Sequence, residues 1–449
     1  MTSVDNFLLG EQKMLFDKTA ARARTGRQIL AASMMLAASG VAFGHAGDLD
    51  TGFGKNGNLV VPAISEVPLF TVPTIAVDSK HRIVLAVHTA TGDVLTVMKK
   101  DGNVDTTFGG AGQVTLRNEV VGVAVDSEDR IVVAERDNTA PDTAVAFERY
   151  QSDGLIDLSF GWTGMASISS TGTSLSANRI ALDDNDNVYA VGTATDGTSA
   201  RILVAKVTSD GQPDVSIAGT GWVALTLDPS GDETTLGQAL RVDKTGELIV
   251  TGYTRLDSES IVDNLVKLHA DGTFDTSFGA GAGFMKIDLN PTSAELHFTV
   301  TNDIAIDADG NYVLAGTTGD WTTTIDFAVM RYTPSGDFDS SFNHGAPDLF
   351  SAKNTEEGQV GNVTVDSRGN IVIVGETEKK SDEVVDEGVV FRLNPDGTPD
   401  VSFGGHDGAV LLHKTSWGTN GVLTTKDKIV TVGTYEDEVV VSQIVGYGN

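Results

Sequence analysis

The stretch Asp271-Gly272-Thr273-Phe274-Asp275-Thr276-Ser277-Phe278-Gly279 decides the fold, because its pattern Gly-x-x-Asp-x-x-Phe-Gly returns along the chain. It reads Gly47/Asp50/Phe53/Gly54, Gly102/Asp105/Phe108/Gly109 and Gly154/Asp157/Phe160/Gly161, then degenerates to Gly211/Asp214/Ile217/Ala218. After Gly272 it reappears as Gly336/Asp339/Phe342/Asn343 and Gly397/Asp400/Phe403/Gly404. The intervals are 55, 52, 57, 61, 64 and 61 residues. A near-constant period of this length is the mark of a repeat architecture.

A second signature lies between the copies. Short apolar runs end in aspartate, turn and resume, as in Ile75-Ala-Val-Asp78 with Arg82-Ile-Val-Leu85, and Val123-Ala-Val-Asp126 with Arg130-Ile-Val-Val133. The series continues at Asp183, Asp243, Asp307 and Asp366, with Thr425 expected in the last copy. Alternation and turn chemistry make these β-hairpins. A third run follows, such as Phe327-Ala-Val-Met-Arg-Tyr332, and a fourth comes after the Phe-Gly motif, such as Gln113-Val-Thr-Leu116. Four strands per unit and no helical period predict an all-β, seven-bladed β-propeller of four-stranded blades over 47–449. The repeats begin with a fourth-strand motif and end with a third strand at 438–447. The N-terminal strand is therefore expected to complete the last blade, which would remove two open sheet edges.

The motif and its period resemble the delta-60 repeat family of bacterial propellers, and the Ile-Ala-Val-Asp hairpins resemble those of NHL-type propellers. The resemblance spans 47–449 and implies a propeller fold without implying an activity. Residues that recur in every unit are expected to build it. The motif phenylalanine would wedge between units, where burial is worth roughly 1.5–3 kcal/mol. The motif aspartate would accept backbone N–H groups and pair with the base five residues before the motif glycine: Arg149, Lys206, Lys267, Arg331 or Arg392.

Composition narrows the partners. With 31 basic and 62 acidic residues the formal charge is −31, which repels nucleic acid and anionic lipid. A protein, glycan or cationic ligand fits better, and a ring that pairs its own edges is expected to be a monomer. There is no cysteine, so disulfides, thiolate metal sites and cysteine nucleophiles are absent. Arg22, Arg24 and Arg27 precede an uncharged run over 29–43 and the small-residue end Gly44-His45-Ala46. Residues 1–46 thus read as an N-terminal extension and secretory signal, placing the protein in the periplasm or outside a bacterial cell. The uncharged run is too short to span a membrane.

No His-Glu-x-x-His or Gly-x-Ser-x-Gly stretch occurs. Asp183/Asn185/Asn187 and Asp307/Asp309/Asn311 place oxygen ligands at alternate positions, as calcium loops do. Both lack the glycine and glutamate of such loops and occupy the hairpin turn of every unit, so no cofactor is expected, with calcium the one candidate. The links from second to third strand and from fourth strand to the next hairpin vary and should share one face. That face carries the candidate ligand-binding residues Trp321, Trp417, Asp320, Arg255, Asp257, Glu376 and His413. Tryptophan beside carboxylates suits stacking on a sugar ring or a cationic group. The sequence therefore points to an exported, non-catalytic binding or scaffold propeller. The alternative is a metal-dependent hydrolase or lactonase with a divalent ion at the central channel, which requires three or more oxygen ligands near the axis.

Overall fold

The computed structural model describes residues 45–61, 64, 72–137, 143–227, 234–256, 261–287, 297–320, 325–350, 355–379, 386–405, 407–412, 416–424, 427–435 and 438–447. The signal-like segment lies outside them up to residue 44. The described residues are all-β, arranged as four-stranded antiparallel meanders.

The first meander is β2 (Thr74–Val77), β3 (Ile83–Val87), β4 (Val94–Met98) and β5 (Gln113–Thr115). The second is β6 (Glu119–Val125), β7 (Ile131–Asp137), β8 (Ala144–Tyr150) and β9 (Met165–Ile168). Next comes β10 (Ser174–Leu182), β11 (Val188–Thr195), β12 (Ala200–Val207) and β13 (Trp222–Leu225). Then follow β14 (Thr234–Val242), β15 (Leu248–Arg255), β16 (Ile261–Leu268), β17 (Phe284–Ile287) and β18 (His297–Ile306), β19 (Tyr312–Asp320), β20 (Ile325–Tyr332), β21 (Asp348–Phe350). The next group is β22 (Thr355–Val365), β23 (Ile371–Lys379), β24 (Asp386–Leu393) and β25 (Ala409–Leu412). Single parallel residue pairs, Ile261 with Phe298 and Ile325 with Glu357, join these last three groups side by side.

The chain ends in β26 (Ser416–Leu423), β27 (Ile429–Tyr435) and β28 (Glu438–Ile444), and the fourth strand of that sheet is β1 (Asn58–Val60). β1 lies antiparallel to β28, with Asn58 opposite Ser442. The N-terminal strand thus pairs where the sequence placed it. The first strands also pack in series, and β2 contacts both β6 and β26.

Each hairpin turn is built by its aspartate. Asp78 Oδ1 accepts the backbone N–H groups of Lys80 at 2.9 Å and Arg82 at 2.7 Å. The same side chain-to-backbone turn forms at Asp126, Asp183, Asp243, Asp307 and Asp366. In the last hairpin the equivalent residue is Thr424, whose Oγ1 accepts Lys428 N at 3.2 Å, so the expected position at Thr425 is corrected by one.

The motif residues pack as their recurrence suggested. Phe53, Phe108, Phe160, Phe278, Phe342 and Phe403 are fully buried, as is Ile217 in the degenerate copy. The motif glycine of one unit sits against the aromatic ring of the unit before it. A Cβ on Gly336 would lie 2.7 Å from the Phe278 ring, and Gly336 has φ +91°, so glycine is required twice over. The motif aspartates hold their bases: Arg149–Asp157 at 2.8 Å, Lys206–Asp214 at 2.7 Å, Lys267–Asp275 at 3.2 Å, Arg331–Asp339 at 2.7 Å and Arg392–Asp400 at 2.7 Å. Two units lack a third-strand base, and a hairpin residue replaces it. Arg82 reaches Asp105 at 3.2 Å, and Lys428 reaches Asp50.

Neighbouring units are also joined through backbone. Gly54 N donates to Asp101 O, Gly109 N to Asp153 O and Gly161 N to Asp210 O, at 2.7–3.0 Å. The last of the series runs from Gly404 N to Ala46 O at 3.1 Å, which ties the end of the repeats to their beginning.

Candidate functional site

The first strands β2, β6, β10, β14, β18, β22 and β26 line one cavity of about 850 Å³. Their register explains its chemistry. Pairing with the second strand shifts between Val120 and Gly122, Ala177 and Arg179, Gly237 and Ala239, Thr301 and Asp303, and Val360 and Gly361's successor Asn362. Each shift is a β-bulge that adds one residue to the inner strand and re-aims the side chains beside it. The extra residues, Val121, Asn178, Gln238, Asn302 and Gly361, all face the cavity.

Immediately after the bulge come Arg179, Asp303 and Asn362, each four residues before its hairpin aspartate, and Asn420 occupies the same place before Thr424. Asp303 is buried and takes both oxygens to Arg241 Nη2, at 2.8 and 3.0 Å, while its Oδ2 also accepts Val363 N at 3.1 Å. Arg179 donates from Nη2 to Gly361 O at 2.6 Å, a bond from β10 to β22. Loss of water pushes the Arg179 pKa down, with Arg241 adding to this and Asp303 opposing it. The amides stitch inner strands together. Asn178 Nδ2 donates to Gly237 O at 2.7 Å, Asn362 Oδ1 accepts Gly421 N at 2.9 Å, and Asn420 Nδ2 donates to Pro73 O at 2.9 Å. At one end of the cavity Arg136 pairs with Glu119 at 2.9 Å and donates to Ser176 Oγ at 3.0 Å. A polar collar around such a cavity suits a small guest with several hydrogen-bonding groups.

The residues expected from the variable links fare unevenly. Glu376 lines the cavity. Arg255 ends β15 half-buried, and Asp320 ends β19 opposite His297. Trp417 lies in β26. Trp321, Asp257 and His413 lie outside the described residues. The collar itself went unread in the sequence. Its signal was a polar residue four or five positions before the hairpin turn, present in most units and different from one unit to the next.

The calcium-like turns are occupied by protein donors. Asp183 accepts Asn185 N, Asn187 N and Asn187 Nδ2 at 2.8–2.9 Å, and Asp307 accepts Asp309 N, Asn311 N and Asn311 Nδ2 at 2.8–3.0 Å. Among the described residues no group of three or more His, Asp or Glu is placed to hold a metal ion. A histidine–carboxylate pair lies between β3 and β4: His88 Nδ1 is 2.6 Å from the buried Asp93, which also accepts Val120 N at 2.6 Å.

Two buried acids lie between sheets. Burial, with Glu148 beside it, pushes Glu135 up to about 7 against the amide of Asn118. Burial raises Asp263 to about 8, although Thr301 donates to it from both Oγ1 and N. Their contribution to stability is therefore full below about pH 4 and is lost as pH rises through the folded values. The motif aspartates act in the opposite sense. Asp275 is lowered to about 2, chiefly by Ser277 and in part by Lys267, and Asp157 and Asp400 are also lowered. Their contribution is present above about pH 4 and is lost as pH falls through the depressed values. Melting temperature is thus expected to peak near pH 4–5, and Glu135→Gln combined with Asp263→Asn to flatten the alkaline limb. A plateau from pH 5 to 8 in the unaltered protein would contradict this.

Residues 244–278, 308–342 and 369–403 match the family described as domain of unknown function (DUF5122) beta-propeller. Each match runs from a hairpin turn to a motif phenylalanine. With the four-stranded repeats, these matches identify a β-propeller repeat fold. No curated protein matches the sequence. Among solved structures, the chain is similar to a catalytically inactive virginiamycin B lyase from Staphylococcus aureus with quinupristin, at 13% identity and TM-score 0.46, covering 86% of this chain and 98% of that one. It is similar to polysaccharide lyase Uly1 at 12% identity, TM-score 0.46, with 95% of each chain covered. Drosophila Semaphorin 1b, extracellular domains 1–2, follows at 9% identity, TM-score 0.46, covering 89% of this chain and 88% of that one. No helix among the described residues is long and apolar enough to cross a membrane.

Proposed function

We propose that this chain is a seven-bladed β-propeller, closed by its N-terminal strand, that binds a small glycan-type ligand in the central channel. The single observation that carries this reading is the cavity: inner strands from every meander meet around it, and arginine, aspartate and amide groups at or beside most of their bulges line it rather than an apolar plug alone. The Gly404–Ala46 link and the β1–β28 pairing support closure, and the repeat period supports the delta-60 resemblance.

The variable links at one mouth, with Trp321, Trp417, Asp320, Arg255, Asp257, Glu376 and His413, are the proposed rim that a longer glycan or a protein would touch. The acidic surface and the signal-like N-terminus support an exported monomer that avoids nucleic acid and membranes. Among the described residues no group of three or more His, Asp or Glu is placed for a metal-dependent hydrolase, and the collar of arginine and amide groups favours binding.

A thermal-shift panel of neutral and acidic mono- and disaccharides on the full chain tests it. Selective binding to the folded state raises its stability by about 2.7 kcal/mol at a hundredfold excess over Kd. The reading predicts such a rise for at least one sugar, reduced by Asn302→Ala and Gln238→Ala in the collar. No shift with any sugar would overturn it.

A further inference from the structure

We infer that the channel ligand carries a carboxylate, and that Arg179 is the group that takes it. This rests on the proposed binding function and names the chemical class of its ligand.

The charge arrangement in the collar leads there. Arg179 and Arg241 share one nearby carboxylate, Asp303, and Asp303 is already committed. Arg241 chelates it and Val363 N caps it. Among the described residues Arg179 makes no salt bridge, and its one hydrogen bond goes to the neutral Gly361 carbonyl. A guanidinium carries five N–H donors in a planar fork. One is used here, and Arg179 itself lines the cavity. Of the other acids in the cavity wall, Glu119 is held by Arg136 and Glu376 is engaged with a partner of its own. An arginine kept inside a chain of net charge −31, with its fork unfilled, is a site that an acidic guest completes.

The preference for carboxylate follows from geometry. A guanidinium edge matches a carboxylate through two parallel N–H···O bonds, which a neutral hydroxyl cannot form. Fixed in place by Gly361, the fork loses little freedom on binding. Gln238 and Asn302, which line the same cavity, then serve the hydroxyl groups of the same molecule. The class is a hydroxylated monocarboxylate, a sugar acid in its simplest form. Sulfate and phosphate share the oxyanion chemistry, so the test separates them.

The experiment is calorimetric titration of the full chain with galacturonate, its methyl ester, galactose, inorganic sulfate and inorganic phosphate. The expected result is galacturonate binding at least tenfold tighter than its methyl ester or galactose, weakening as salt rises. Arg179→Gln is expected to remove that tenfold preference, bringing galacturonate down to the affinity of its methyl ester. Its melting temperature reports whether the variant folds, and the acid-against-ester comparison in the unaltered protein stands without it. Equal binding of acid and ester overturns the inference but leaves the glycan reading intact. Sulfate or phosphate binding with no response to galacturonate also overturns the carboxylate assignment. Silence towards every sugar sinks the function reading itself.

Discussion

Replacing Asp400 by alanine is expected to destabilise the protein by about 3–5 kcal/mol, because it strands a buried guanidinium. Arg392 is 1% exposed and Asp400 8%. Arg392 Nε donates to Asp400 Oδ2 at 2.7 Å, Nη1 donates to Gly446 O, and the guanidinium lies 4.5 Å from the Phe403 ring and 4.9 Å from Tyr447. Those aromatic faces and the single carbonyl cannot balance the charge once the carboxylate is gone. The comparison is Lys80→Ala, which removes a pair with Asp129 at 3.3 Å whose lysine is mostly in solvent. An exposed pair of that kind is worth under about 1 kcal/mol. Urea unfolding of both variants reads the difference, and equal costs would remove the structural role given to the motif ion pairs.

Phe53→Ala is expected to cost a similar amount, about 3–5 kcal/mol, through lost burial and the cavity left behind. Phe53 is fully buried in a cluster with Ile83 and Leu85 from the first meander and Val430, Val432, Val439 and Val441 from the last. It therefore joins the two ends of the repeat series through one side chain. Phe108→Ala, between the first two meanders, should cost as much. A loss below about 1 kcal/mol for Phe53, against the full loss for Phe108, would mean that the N-terminal strand is only loosely attached.

The architecture was legible because its determinants are local and repeated. An aspartate that folds its own hairpin, a phenylalanine that fills one inter-unit gap and a glycine that admits the neighbouring ring must recur wherever the unit recurs. The bases that answer the motif aspartates could likewise be read at Arg149, Lys206, Lys267, Arg331 and Arg392. Their replacements Arg82 and Lys428 could not, because they arrive from a different strand. The cavity residues stayed hidden for a related reason. A bulge shifts side-chain alternation by one, so Asn178, Gln238 and Asn302 break the two-residue period that a strand is read by. Arg179, Arg241 and Asp303 sit in three different units, and only the packing of first strands around one cavity brings them together. Tryptophan and charge in the variable links pointed to Glu376, which lines the cavity, but not to the polar collar.

The channel exists as a channel only if the repeats close on themselves, and the absence of native cysteine allows a direct measurement of that closure. Asn58 and Ser442 face each other across β1 and β28, with Ser442 Oγ donating to Asn58 Oδ1 at 2.6 Å. Opposed residues in an antiparallel pair stand about 4.5–5.5 Å apart at Cα, within the range a disulfide spans. In the doubly substituted protein, Asn58→Cys with Ser442→Cys, mild oxidation under native conditions should consume both thiols, form an intramolecular crosslink and raise the melting temperature reversibly with reductant. Two thiols that remain titratable in the oxidised, folded protein would contradict the closed ring and the channel built on it.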